Sequence, residues 1–161
     1  MKLDTRQLGE IEINEQDILD FGYGILGFPD DRYFVLLAQD EEEEDNSVYF
    51  LQSVDDVDVS FVLIDMVAIS PDYNPFVEGA VLEGLGQYTS EDFCVYNIAT
   101  IYDDLGKSTV NLKAPIVINT LTKRASQVVC ISEDYSVKAP LIGDTDTDTA
   151  YAHAQEVGEV C

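Results

Sequence analysis

The chain has 161 residues, 46% of them hydrophobic, which is material for one domain with a real core and argues against wholesale disorder. Eight Lys and Arg stand against 32 Asp and Glu, a formal net charge of −24. Such a surface repels phosphate backbones and anionic headgroups, so direct nucleic-acid and membrane binding are disfavoured, whereas basic protein partners are steered toward it.

In chain order, residues 2–6 and 9–13 are predicted strands joined at Gly9, the second carrying the polar–apolar alternation Glu10-Ile11-Glu12-Ile13. Through residues 17–28, apolar side chains from Ile18 to Phe28 are interrupted by Gly22, Gly24 and Gly27. That spacing defeats a helix and predicts an apolar loop folded against the core, followed by a turn at Pro29-Asp30-Asp31. Arg32–Leu37 and Ser47–Ser53 are the next strands, rich in aromatic and branched residues. Between them, Asp40, Glu41, Glu42, Glu43, Glu44 and Asp45 are consecutive acids that cannot share a buried strand and predict a solvated loop.

In Val59–Asp65, Val59, Phe61 and Leu63 alternate with Val62 and Ile64, so both faces are apolar. A strand of this kind is covered on both sides or belongs to a closed barrel. Met66–Ile69 is expected to extend it or to form a further short strand, and Pro71, Asp72, Asn74 and Pro75 mark a break. Glu78–Leu85 is predicted as a short helix, against the propensities of Gly79 and Gly84. Phe93–Ile101, Thr109–Lys113, Ile116–Asn119 and Ser126–Ser132 complete the strands, with Thr120–Arg124 connecting the last two. Roughly ten short strands with close turn signals predict an all-β, single compact β-barrel-like domain over residues 1–141. Val137 and Leu141 are expected to dock on it. Residues 142–161 read as an acidic C-terminal extension, helical over Ala150–Val157.

The inventory for catalysis is thin. The single histidine, His153, lies in that extension, and HExxH, GxSxG and Gly-rich phosphate motifs are absent from the sequence. Cys94, Cys130 and Cys161 contain no CxxC spacing, which speaks against a disulfide framework or a zinc site, and the first two read as small core hydrophobes. Asp144, Asp146 and Asp148 imitate the start of a calcium loop, but Thr149 and Gln155 occupy the positions where such a loop needs glycine and glutamate. The expectation is therefore no enzyme, no cofactor and no metal. The alternative from another class is a carbohydrate-acting enzyme using two facing acids. The start MKLDTRQLGEIEI lacks the pattern of a signal peptide, and no run reaches the ~20 apolar residues of a membrane helix, so a cytoplasmic location is expected.

Several extended segments together resemble the FliW family of bacterial flagellar assembly factors. They are TRQLGEIEI (Thr5–Ile13), GILGFPDDRYFVLL (Gly24–Leu37), FLQSVDDVDVSFVLID (Phe50–Asp65), PDY (Pro71–Tyr73), VYNIATI (Val95–Ile101) and NLKAPIVINTLTKRASQVV (Asn111–Val129). The resemblance covers about residues 1–141; Tyr49–Phe50 stands where a tryptophan is common, and the acidic run at 40–45 is unusually dense. It implies a non-catalytic domain that binds flagellin and CsrA, the RNA-binding carbon storage regulator, and so relieves CsrA repression of flagellin translation. A flagellin chaperone with weak or no CsrA contact is the alternative, and the free protein is expected to be monomeric. Within the matching segments, the candidate protein-binding residues are Gln52, Asp55 and Asp56 at one strand-to-turn corner and Pro71, Asp72 and Tyr73 at another. Residues 40–45 are expected to act by electrostatic steering.

Overall fold

A computed structural model describes residues 1–39, 42, 47–131 and 134–141. The expected extension at 142–161 lies outside the described residues, as do His153, Cys161 and the Asp144–Asp148 triplet.

Eleven strands appear among the described residues: β1 (Lys2–Thr5), β2 (Gly9–Glu12), β3 (Ile18–Asp20), β4 (Tyr33–Ala38), β5 (Val48–Ser53), β6 (Ser60–Ile64), β7 (Phe93–Thr100), β8 (Thr109–Val110), β9 (Ile116–Asn119), β10 (Arg124–Gln127) and β11 (Ala139–Pro140). Two short helices, α1 (Met66–Ile69) and α2 (Gly79–Gly84), sit in the connection from β6 to β7. β1 and β2 form a separate hairpin. The others run in the order β11-β8-β7-β6-β5-β4-β3-β10-β9, and a further pairing of β7 with β9 closes seven of them into a barrel.

Around this ring every pairing is antiparallel except β3 with β10, which meet in parallel at the single position Asp20↔Arg124. β7 serves two partners on one side: Phe93–Tyr96 pair with β9, and Ala99–Thr100 pair with β8. β8 and β9 are thus one interrupted strand. At the interruption, the Asn97 side-chain amide donates to Asn111 O (2.8 Å) and to Tyr73 Oη (2.9 Å), supplying bonds that a regular ladder would have made.

The barrel interior follows from the period-two alternation. Leu19, Phe34, Leu51, Leu63, Tyr96, Ile116 and Ile118 are buried together there, with Phe21 and Ile25 from the loop after β3. Phe21 meets Phe34 edge-on at 5.0 Å, and Tyr49 lies 4.9 Å from Tyr96, pairings that add about 0.5–1.5 kcal/mol each to area burial. A second cluster covers the outside of the wall, where Val48, Ile64 and Ala99 pack with Met66, Tyr73, Val110 and Leu141. This outer layer is why β6 is apolar on both faces. Leu141 docks as expected at 2% exposure, whereas Val137 stays 53% exposed.

Met66–Ile69 is a helical turn, not the strand expected from its branched residues. The cause is local: the Asp65 side chain caps the turn by accepting from Ala68 N (3.2 Å). Three-residue β3 lies within the segment read as a loop. Its neighbours explain the assignment, since Ile18, Leu19 and Asp20 pair with Val35, Phe34 and Tyr33 of β4.

Candidate functional site

The first corner is the β5–β6 turn, and its rigidity is built from short polar side chains. Ser53 Oγ donates to Asp31 Oδ1 (2.7 Å) and accepts from Asp55 N (3.1 Å) and Asp56 N (3.0 Å). Asp55 Oδ2 accepts from Arg32 N (2.8 Å) and Tyr33 N (2.9 Å), tying the turn to the start of β4. Asp56 Oδ1 accepts from Asp58 N. Gln52 lies beneath, fully buried, and its Nε2 donates to Ser53 O, Val57 O and Val59 O at 3.0–3.3 Å. Gln52 therefore closes the turn from inside, and Asp55 and Asp56 form its exposed acidic rim.

The second corner follows α1. Tyr73 N donates to Ser70 O, leaving Pro71 and Asp72 exposed at the tip. Tyr73 turns inward: it is buried, its hydroxyl donates to Leu112 O (2.7 Å), and its ring meets Tyr135 edge-on at 4.9 Å. Burial pushes its phenol up to about 12. The two corners lie at opposite ends of five-residue β6, a separation of roughly 17 Å along the strand, so the fold does not join them into one patch. Of the acidic run, Glu42 is described and exposed; Asp40, Glu41, Glu43, Glu44 and Asp45 lie outside the described residues.

A surface that sequence reasoning missed lies over the β3–β10 junction. A cleft of about 350 Å³ is lined by Tyr23 and Arg32, by Val81 and Leu85, and by Ala125 and Ser126. Arg32 donates to both carboxylate oxygens of Asp20 (2.8 and 3.0 Å), and this pairing holds the Asp20 carboxyl below its ordinary range. Tyr23, between Gly22 and Gly24, is 98% exposed, so the glycine-rich loop buries Phe21 and Ile25 while presenting Tyr23 and Leu26 outward. The signal in the sequence was an aromatic residue flanked by two glycines.

Nothing among the described residues assembles chemistry for a reaction. No group of three His, Cys, Asp or Glu is placed to hold a metal ion, and Cys130 is a buried thiol whose pKa burial raises, away from thiolate reactivity. No helix among them is long and apolar enough to cross a membrane.

A closed seven-stranded β-barrel with two hydrogen-bonded corners and a cleft over the β3–β10 junction defines a small all-β barrel domain. The family model described as FliW protein matches residues 2–141. The flagellar assembly factor FliW of Lachnoclostridium phytofermentans is 38% identical over 141 residues, covering 88% of this chain and 90% of that protein. The FliW of Caldanaerobacter subterraneus subsp. tengcongensis is 33% identical over 154 residues, covering 96% and 100%. A crystal structure of the flagellar assembly factor FliW matches with a TM-score of 0.80 at 35% identity, covering 89% of this chain and 99% of the other. The chain belongs to the FliW family and is a flagellar assembly factor, not an enzyme.

Proposed function

We propose that this protein binds flagellin and the RNA-binding regulator CsrA in the cytoplasm, and that binding relieves CsrA repression of flagellin translation. The observation that carries the reading is the family match across the whole barrel, residues 2–141. In this reading the two corners contact partners. Asp55, Asp56, Pro71 and Asp72 meet them directly, while Gln52 and Tyr73 fix the backbone that presents those residues. The acidic run at 40–45 raises the encounter rate with basic surfaces without a fixed contact. A phosphate backbone is repelled by the same charge, so CsrA is engaged as a protein and not through its RNA.

Isothermal titration of the full chain against CsrA and flagellin from the same organism tests this. Saturable binding to both is expected. Flagellin binding with no heat from CsrA would sink the regulatory half and leave a flagellin chaperone.

A further inference from the structure

We infer that the free edge of β10, continued through Ile131, docks an extended segment of another protein that carries alternate apolar residues and a carboxylate placed to meet Arg124. The starting point is a strand that ends early. β3 pairs with β10 only at Asp20↔Arg124, and the chain then leaves the sheet into the glycine-rich loop. Beyond Ser126 the β10 backbone bonds to one side only, Val128 N donating to Pro115 O (2.9 Å) and Cys130 N to Lys113 O (2.8 Å). From the other side the glycine-rich loop reaches the Gln127 side chain, whose Oε1 accepts from Leu26 N (2.9 Å). Antiparallel alternation then turns the backbone groups of Val129 and Ile131 to the opposite side. Val129 N–H and C=O have no hydrogen-bond partner among the described residues.

Folded proteins ordinarily guard such an edge with charge, proline, a bulge or a covering element. Here the edge carries Val129 and Ile131, 55% and 74% exposed, with Phe76, 68% exposed, across a groove that runs on from the Tyr23–Arg32 cleft past Val81 and Ser126. An unpaired edge beside pockets for alternate side chains is the geometry of strand addition.

Charge selects the occupant. In a molecule of net charge −24, Arg32 and Arg124 both line the cleft end of this groove beside Asp20, and Glu78 lines its other end. Asp20 occupies the Arg32 guanidinium with two hydrogen bonds, whereas the Arg124 side chain acts on Asp20 only through its charge and makes no hydrogen bond or close ion pair among the described residues. A peptide Asp or Glu neutralises it; nucleic acid, the other source of anions, is repelled by the rest of the surface. From Arg124 to Ile131 the chain spans on the order of 23 Å, so about seven residues of an extended segment fill it. The inference holds whichever protein supplies the segment.

Panning a random twelve-residue peptide library on the full chain tests it, followed by titration of the enriched peptide on variants. The expected consensus has apolar residues at alternate positions and one Asp or Glu. Val129→Pro, which removes an amide hydrogen that bonds nothing among the described residues, is expected to weaken binding about tenfold. Arg124→Glu is expected to weaken it by a similar factor, regained when the peptide's acid is replaced by lysine. Should Val129→Pro fail to fold by circular dichroism, slowed amide exchange at Val129 in the peptide-bound wild type replaces it. No enriched peptide, a consensus at helical spacing, a charge swap without effect, or unchanged exchange at Val129 each overturns the inference.

Discussion

Gln52 is the polar residue on which the acidic corner depends, and its effect is measurable apart from any partner. Its amide nitrogen shares two hydrogens among three carbonyls in a fully buried position. Gln52→Ala removes a buried donor from all three, although Val57 O keeps Arg6 N and Val59 O keeps Ser53 N, and is expected to cost about 1–3 kcal/mol, read as a lower urea midpoint at unchanged slope. Gly24 is constrained by conformation and by space. Its φ is +82°, and a Cβ there would lie 2.5 Å from Phe28 O and 3.0 Å from Asp31 O. Gly24→Ala is expected to destabilise by about 1–3 kcal/mol from backbone strain alone, with the clash added to it. The buried tyrosines set an alkaline limit. An unfolded tyrosine ionises near 10.0, whereas burial holds the Tyr73 proton to about 12 and also raises Tyr49 and Tyr96. Since the folded value is the higher one, the stabilisation is complete below pH 10.0 and is lost as pH rises toward 12. Tyrosinate absorbance should therefore rise in two phases, the second coinciding with loss of far-ultraviolet dichroism; a single smooth rise would contradict burial.

At the scale of elements, the parallel contact of β3 with β10 is the weakest join in the ring, and the Asp20–Arg32 pair lies beside it. Asp20 titrates below its ordinary 3.8, so the pair's contribution is present above that pH and fades as pH falls through the lowered value. The pair is solvent-exposed, and Asp20→Asn is expected to change stability by no more than about 1 kcal/mol, by thermal or urea unfolding. Elements with clear alternation were legible in the sequence: β4, β5, β7 and β9 fall within a residue or two of expectation. β3 and β11 were not, because three- and two-residue strands carry too little period and exist through their partners. The α1 turn was misread as a strand since Val67 and Ile69 favour one, while the deciding hydrogen bond comes from the preceding Asp65. Of the candidate corners, the sequence located the turns but not the direction of their side chains: Gln52 turns in to the Ser53, Val57 and Val59 carbonyls, and Tyr73 packs in the outer layer.

For the whole molecule, net charge is the property with a direct kinetic consequence. Association with CsrA is expected to slow as salt rises from about 10 mM to 150 mM, as the Debye length contracts from about 30 to 8 Å. Replacing the acids at 40–45 by serine should lower the association rate while leaving the dissociation rate unchanged; stopped-flow fluorescence distinguishes the two, and an unaltered association rate would rule out steering. By itself, the sequence determined the acidity, the all-β character and the poverty of catalytic groups, because composition and local alternation encode these directly. Only the tertiary structure decided that seven strands close, that the two candidate corners stand at opposite ends of β6, and that β10 meets β3 at a single position beside a cleft lined by Asp20, Arg32 and Arg124. These depend on register between segments up to about a hundred residues apart, such as Asp20 and Arg124, and pairing at that distance leaves no local period to read.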